Sequence, residues 1–558
     1  MPSFQHSNTP PHHHPLQFGS GEYEAVTYED FLMKIVTPTQ MREIDRRCIE
    51  DLGIPGRDLM ERAGAAVAAE VESIILPDRS DPLVILLAGK GNNGGDALVT
   101  SRLLARKKIN TLTFLLAQAP ALKGDAALNL DRLIQSQAPL KELIDESELS
   151  GLRESLARAD IIVDGIFGTG FKGQARGIAA EVIKLVNQTV STRPGIRVIA
   201  IDIPSGLEGE TGKVEGEVIR ANRTVTMGLP KTGMVRGDGL NCCGRVIAAD
   251  IGVPSAVIDE VSADLDLVTG AELSGLIPPR LQNSHKGSYG HALILAGSPG
   301  MTGAAALSSM AALRSGAGLV TLGIPESLNP ILEEKCTEIM TLPLPETTTG
   351  SLSPDAISPI LNFCRKIDVV AIGPGLSRNP GTGELVRELV RSCPVPLVID
   401  ADGLNLIAED LSVLRCASSG LTLTPHPGEA CRLTGLTREE LFADREGIAR
   451  KFARENNLIL VLKGAGTLIA LPEGPLRINL TGNPGLATGG TGDILTGLIA
   501  GFMAQGVVAG SAACLGVYVH GAAGDKVAEK VGEISLIASD LLEAIPVVLK
   551  ELFVWNNC

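Results

Sequence analysis

The stretch LATGGTGDILTGLIAGFMAQG, residues 486–506, sets one aspartate, Asp493, between a glycine-rich turn and a long run without charge. A carboxylate beside apolar sequence is costly to desolvate unless something requires it there. The turn Gly489-Gly490-Thr491-Gly492 also gives up more backbone entropy than ordinary residues would, a loss that makes sense where a ligand must come close to the main chain. A helix beginning here directs its first N–H groups at an anion such as phosphate. A carboxylate in the same place can take a proton from an attacking hydroxyl. Capping is nevertheless the commonest fate of an aspartate after glycines, so the surroundings have to decide.

Downstream, no charged residue occurs from Ile494 to Val519, a length that would permit a bilayer crossing. Glycines at 497, 501, 506, 510 and 516 punctuate the run, and no Lys or Arg lies close to either end to anchor it. Two buried helices meeting near Gly506 account for it better, and a cytoplasmic protein with no membrane partner is expected.

Upstream, two pieces belong with Asp493. VLKGAGTLIA (461–470) reads as a strand followed by a Lys-Gly-rich turn, and TPHPGE (424–429) holds His426 between two prolines. A solitary histidine is more often a packing residue than a ligand, but flanking prolines rigidify it at a strand end, so both readings stand. Lys286 in HKGSYGH and Asp400 and Asp402 in VIDADGLN are weaker candidates; the two aspartates could help hold magnesium or simply cap a helix. Together these pieces make an arrangement for phosphoryl transfer to an alcohol. It is not a P-loop, because G-x-x-x-x-G-K-[ST] does not occur in the chain.

The strand pattern extends over the whole chain of 558 residues. In the first half LVILLA (83–88), TLTFLLA (111–117), DIIVDGIF (160–167), RVIAIDIPSG (197–206) and RVIAADIGV (245–253) alternate with helical stretches. After a looser junction, LSGLIPPRLQNSHKGSYGH, the alternation resumes with HALILAG (291–297), GLVTLGIP (318–325), DVVAIGPG (368–375), PLVIDADGL (396–404), LTLTPHPGE (421–429) and LILVLKGAGT (458–467). Continuous apolar strands between helices indicate mostly parallel sheets covered on both faces. The halves share no repeated motif, so the expectation is a polar, His- and Pro-rich tail over 1–34, one α/β domain over 35–268 and a different one over 269–558.

Composition narrows the partners. The formal net charge of -15 argues against nucleic acid, whose recognition needs a cationic footprint. Ten cysteines without CxxC spacing fit buried free thiols better than a disulfide framework or a zinc site. No histidine occurs between residues 15 and 284, so acid–base chemistry in the first half falls to carboxylates, Lys, Tyr or water.

Within that half, AGKGNNGGDALV (88–99) matches G-x-G-x-x-G through Gly89, Gly91 and Gly94 after a strand. The next strand ends in Gln118 without an acidic residue for a ribose, and Asp96 puts negative charge where a pyrophosphate wants bare amides. The ordinary dinucleotide-binding reading therefore fails. What remains is a polar cup of Asn92, Asn93 and Asp96 on a loop, with Asp164, Asp202 and Ser205 at strand ends. Such oxygens suit a hard cation plus one carboxylate free for proton transfer. Taken singly, each is more often a helix cap or turn residue.

GKGNNGGDALV, VDGIFGTG and AIDIPSGLEGETG, in this order and spacing, resemble the NAD(P)H-hydrate epimerase family over about residues 37–265. HKGSYGHALILAGS, GAAALSSMAALRSGAGLV, AIGPGLS, VIDADGLN, TPHPGE, KGAGT and GGTGD resemble the NAD(P)H-hydrate dehydratase family over about 280–550. The resemblances imply a Rossmann-like doubly wound sheet domain followed by a ribokinase-like α/β domain. They imply epimerisation of the R and S hydrates of NADH and NADPH, then nucleotide-dependent dehydration of the S hydrate, with ADP preferred over ATP. By position, Asn92, Asn93, Gly94, Gly95 and Asp96, then Gly168, Thr169, Gly170, Phe171, Lys172, Gly173 and Gln174, and Asp202 contact the hydrate in the first half. Asn93, Asp164 and Ser205 match ligands of a potassium ion, and Asp202 is the acid–base candidate. In the second half Lys463, Gly464, Ala465, Gly466, Thr467 and Gly492 contact the adenine nucleotide. Ala305, Gly375, His426 and Asp493 contact the hydrate, with Mg2+ as cofactor and Asp493 as base. A homo-oligomer is also expected. Two departures stand out: Ala97 follows the loop aspartate where a glycine is usual, and Ser377 replaces the last glycine of GPGLG.

Two other readings compete. A ribokinase-like small-molecule kinase with an accessory domain shares the GTGD logic but leaves NNGGD and DIPSG unexplained. A nucleotide-sensing protein with silent sites would bind nucleotide without turnover.

Overall fold

The computed structural model describes residues 33–75, 81–277 and 279–553. The tail reading, with His12, His13 and His14, lies outside the described residues except for Met33 and Lys34, which belong to a strand, Met33–Ile35.

Seven parallel strands of the first half lie in the spatial order Leu140–Glu142, Asn110–Leu115, Leu83–Ala88, Ile161–Gly165, Arg197–Ile201, Arg223–Met227, Arg245–Ala249. The period-2 geometry of a strand sorts LVILLA between two layers: Val84, Leu86 and Ala88 enter one apolar core, Ile85 and Leu87 the other. The winding reverses between Leu83–Ala88 and Ile161–Gly165, and the crevice outside their carboxyl ends is where open α/β sheets hold ligands. Arg223–Met227 escaped the sequence reading because two buried threonines interrupt its apolar character. Thr224 donates to the Cys243 carbonyl at 2.6 Å, and Thr226 accepts from Lys231.

The second sheet has eleven strands; the winding again reverses between the adjacent strands Val369–Ile372 and His291–Leu295, three and two strands in from one edge. Leu293 and Leu295 face one core, and Ala292 and Ile294 the other. The uncharged run forms the helices Thr491–Ala504 and Ala509–Val531, separated by a turn at Gly506 with φ 86°. A Cβ at Gly497 would sit 2.1 Å from the Ser308 carbonyl oxygen, so the glycine lets this helix lie against Thr302–Arg314. No helix among the described residues is long and apolar enough to cross a membrane.

The division at 268/269 does not coincide with a break between the sheets. Met33–Ile35 and Leu265–Leu267 both belong to the second sheet, where Leu265–Leu267 runs parallel to Leu476–Asn479. These two short strands cover an edge whose N–H and C=O groups would otherwise be open to pairing. Leu-Asp-Leu is too short to announce itself as a strand. One apolar core also crosses between the halves, joining Leu207, Met234 and Cys242 to Leu460 and Leu462. All nine cysteines among the described residues are free, and seven of them are buried.

Candidate active sites

Asp493 lies in the first turn of Thr491–Ala504, behind Gly490, whose φ of 95° lets the chain turn into the helix. Burial, followed by the charge of Asp400, pushes its carboxyl up to about 7. Asp400 is itself 1% exposed and fully engaged: Lys463 Nζ donates to Oδ1 at 2.7 Å and Thr496 Oγ1 to Oδ2 at 2.7 Å. Burial works against the Lys463 ammonium, but Asp400 and Glu429 outweigh it and hold its pKa above the ordinary value. A Cβ on Gly492 would lie 3.4 Å from Lys463 Nζ, so glycine leaves open the space between ammonium and helix terminus. Cation and helix amides there converge on one anion site.

His426 caps the helix Pro427–Thr434: its Nδ1 accepts from the Gly428 N–H at 2.9 Å, while Glu429 accepts from the His426 N–H at 2.8 Å. Burial, then Lys463 and Arg432, lower its pKa. Asp402 accepts from the Ser377 N–H at 3.0 Å and so ties down the GPGLS loop. Ser377 occupies the left-handed region at φ 68°, where glycine is the easier residue, and its hydroxyl pairs with that of Ser351 at 2.7 Å. Among the described residues no three His, Cys, Asp or Glu side chains form a metal-binding group. Magnesium, which keeps waters and takes one or two carboxylates beside substrate phosphates, fits here only as an ion entering with a nucleotide.

A cavity of about 760 Å³ is lined by Lys463, Gly464, Ala465, Gly466, Thr467, Gly492 and His426. Asp493, Ala305 and Gly375 are not among its walls. Ala305 is fully buried, and Gly375 lies against Met301 and Ala304, beside the reversal of the winding. Lys286 is not brought to this site: its carbonyl packs under Gly318, before the strand Leu319–Pro325, at the opposite end of the sheet.

In the first half a cavity of about 920 Å³ opens at the carboxyl ends of the strands and is lined by Asn92, Asn93, Asp96, Gly168, Thr169, Gly170, Phe171, Lys172 and Asp202. Asn92 to Asp96 form the first turn of the helix Asn92–Arg106, not the loop expected from two adjacent glycines. Packing overrides propensity here. A Cβ on Gly94 would sit 1.8 Å from the Gly89 carbonyl oxygen, and one on Gly95 would sit 2.7 Å from Met60 Sδ. Neither glycine lines the cavity, nor do Gly173 and Gln174; the Gln174 side chain lies against Gly216.

Asp202 follows the strand Arg197–Ile201 in the left-handed region, with φ 62°. Its Oδ1 accepts from Lys231 Nζ at 2.5 Å and from the Met227 N–H at 3.2 Å. Lys231 is 1% exposed and spends its other donors on Thr226 Oγ1 and the Met227 carbonyl, both at 2.9 Å. Burial pushes Asp45 up to about 6 and Asp96 well above the usual carboxylate range, with Asp202 adding to both. Beside them, Asp164 is fully buried and accepts from Ser205 Oγ at 2.6 Å and from the Ser205 N–H at 2.8 Å. Burial raises its pKa to about 6. Asn93 Nδ2 donates to the Phe167 carbonyl at 2.7 Å, and its Oδ1 is buried with no hydrogen-bond partner. An orphaned amide oxygen among hydroxyl, carbonyl and carboxylate oxygens fits a hard monovalent cation.

Comparison with known proteins decides the family. The model of NAD(P)H-hydrate dehydratase matches residues 292–547, and that of the YjeF-related protein N-terminus matches 56–233. The bifunctional NAD(P)H-hydrate repair enzyme Nnr of Moorella thermoacetica is 45% identical over 93% of this chain and 97% of its own length. This chain belongs to the bifunctional NAD(P)H-hydrate repair enzymes. The Escherichia coli (strain K12) Nnr enzyme is 34% identical over 90% of this chain and 92% of its own. An ADP/ATP-dependent NAD(P)H-hydrate dehydratase from Bacillus subtilis, co-crystallized with ATP/Mg2+, is 32% identical, with 51% of this chain and 98% of that chain covered and a TM-score of 0.45.

Sequence reasoning missed three groups of this repair enzyme. Asp45 comes from the helix Pro38–Arg46 and lines the larger cavity. Lys231 lies in an unremarkable LPKTG turn. His520, on Ala509–Val531, bonds through Nε2 to the Thr491 carbonyl at 2.9 Å, and burial pushes its pKa down to about 4. The absence of histidine in the first half left acid–base work there to carboxylates, Lys, Tyr or water, without singling out Lys231.

Proposed function

We propose that Asp493 is the base of the dehydratase and that the space between Lys463 and Gly492 takes the terminal phosphate of ADP. The observation that carries this reading is a carboxyl pushed up to about 7, in the first turn of a helix that faces a half-buried ammonium. A base with that pKa matches proton abstraction at neutral pH. Asp493 takes the proton of the substrate's ring hydroxyl, and that oxygen attacks the terminal phosphorus of ADP, releasing AMP. Electrons from the ring nitrogen then form the C=N bond as the C–O bond breaks and phosphate departs; loss of the neighbouring ring proton restores the dihydronicotinamide. Lys463 and the helix amides hold the charge that develops on the phosphoryl oxygens. Magnesium, when bound, offsets the same charge.

In the first half Asp202, oriented by Lys231, gives a proton to the hydrate's hydroxyl as the C–O bond breaks. Water leaves one face of the ring with electrons from the ring nitrogen forming C=N, and Asp202 takes a proton back as water adds to the other face. Asn93, Asp164 and Ser205 would hold potassium, whose charge orients the substrate's polar groups; the orphaned Asn93 Oδ1 supports this. Incubating the enzyme with S-hydrated NADH and either ADP or ATP, while following dihydronicotinamide absorbance, tests the reading. Recovery with ADP and faster than with ATP is expected. Accumulation of a stable phosphorylated alcohol would instead make the protein a kinase.

A further inference from the structure

We propose that the N-terminal half supplies the wall that recognises the base of the nucleotide consumed in the C-terminal half, through Leu240 and Asn241. This rests on the nucleotide placement above and extends it across the boundary between the two activities.

The cavity that contains the Lys463–Thr467 loop is closed on its other side by residues of the first half, among them Leu240, Asn241 and Val246. Its phosphate end is fixed at Gly492 and Lys463. From there the loop runs three residues to Gly466, where a Cβ would lie 3.1 and 3.4 Å from the two Leu240 methyl carbons. Leu240 therefore touches the loop away from the phosphates, on the side where a nucleotide holding its terminal phosphate at Gly492 would carry its base.

Two contacts hold this wall in register. Arg445 donates to the Ala465 and Gly466 carbonyls at 3.0 and 3.2 Å. Its neighbour Glu446 accepts a two-pronged bond from Arg236 of the first half, both prongs at 2.7 Å. A guanidinium–carboxylate fork fixes angle as well as distance, and Arg236 lies four residues before Leu240. Leu240 offers an apolar surface for a purine face. Asn241 is exposed to the cavity and brings an amide. One amide donates and accepts side by side, which suits the N6/N7 edge of adenine and mismatches guanine, where O6 and N7 both accept.

Calorimetric titration of the full chain with ADP, GDP and inorganic pyrophosphate tests the proposal. Asn241→Ala is expected to weaken ADP about five- to tenfold, the size of one lost hydrogen bond, and to narrow the ADP/GDP ratio. Leu240→Ala is expected to weaken ADP and GDP together. Both variants should bind pyrophosphate as the parent does. Wild-type ADP affinity in both variants, with unchanged thermal melting, would overturn the proposal. So would a loss of pyrophosphate binding equal to the loss of ADP binding, which would indicate a distorted loop. Lys463→Met separates the two layers. If it binds ADP like the parent, the nucleotide placement itself fails. If it loses ADP while Leu240 and Asn241 variants do not, only the present inference fails.

Discussion

The two sites use the same device differently. Each has a lysine at the carboxyl ends of a largely parallel sheet paired with an aspartate, the buried Lys231 with Asp202 at 2.5 Å and the half-buried Lys463 with Asp400 at 2.7 Å. Each has a non-glycine residue in the left-handed region at the strand end, Asp202 at φ 62° and Ala401 at φ 49°. Such strain costs on the order of 1–3 kcal/mol and persists where the surroundings over-determine it. In the first half the paired aspartate is itself the proposed proton carrier. In the second, Asp400 is sealed by Lys463 and Thr496, and its charge acts on a third party, Asp493. A lysine–aspartate pair is thus a source of fixed charge whose role depends on which carboxylate is left free to meet substrate.

Four experiments would break or sharpen that contrast. The largest effect is expected from Asp493→Asn, which should lower dehydratase turnover about 10²–10⁴-fold, the range for a lost general base, and spare epimerisation; equal loss of both rates would end the division of labour. Next, Lys231→Met should strip the buried pair in the first half, cutting epimerisation and costing about 3–5 kcal/mol of stability by chemical denaturation. If Lys231→Met leaves the epimerase rate intact, the pair is structural only.

A smaller effect concerns pH. Dehydratase turnover should rise as pH passes about 7, where Asp493 gives up its proton. Asp400→Asn should move that limb to lower pH, because the raising charge is gone. The stability sign runs the other way: a carboxyl whose folded pKa exceeds its unfolded value favours folding at low pH and loses that advantage as pH climbs through the folded pKa. Asp493→Asn should therefore melt higher than the parent at pH 8, with the difference vanishing below pH 3.8. The smallest change is expected for Ser377→Gly. Relief of the left-handed serine and loss of its bond to Ser351 oppose each other, leaving a shift under about 1 kcal/mol in thermal melting.

Much of this was legible in the sequence because it is local. Apolar runs such as LVILLA and HALIL announced the central strands, and GGTGD and DIPSG marked the strand ends and helix starts where chemistry collects. Less legible were the short elements. Leu265–Leu267 becomes a strand only because the edge at Leu476–Asn479 needs covering. Asn92 to Asp96 enter a helix only because Gly94 must pass the Gly89 carbonyl. Residue roles were blurred for the same reason. Gly94 and Gly95 look like ligand-approach glycines but serve packing, and His426 spends Nδ1 on a cap.

By itself, then, the sequence determined two α/β halves and the placement of their glycine-rich turns, since these follow from periodicity and short-range backbone chemistry; its ordered motifs carried the resemblance to the family. Only the tertiary structure decided that Asp45 and Lys231 join Asp202, that Asp400 charges Asp493, and that a wall of the first half closes the cavity of the second. Those facts depend on burial and on contacts between residues distant in the chain, and desolvation and Coulomb forces act only once folding has brought such groups together.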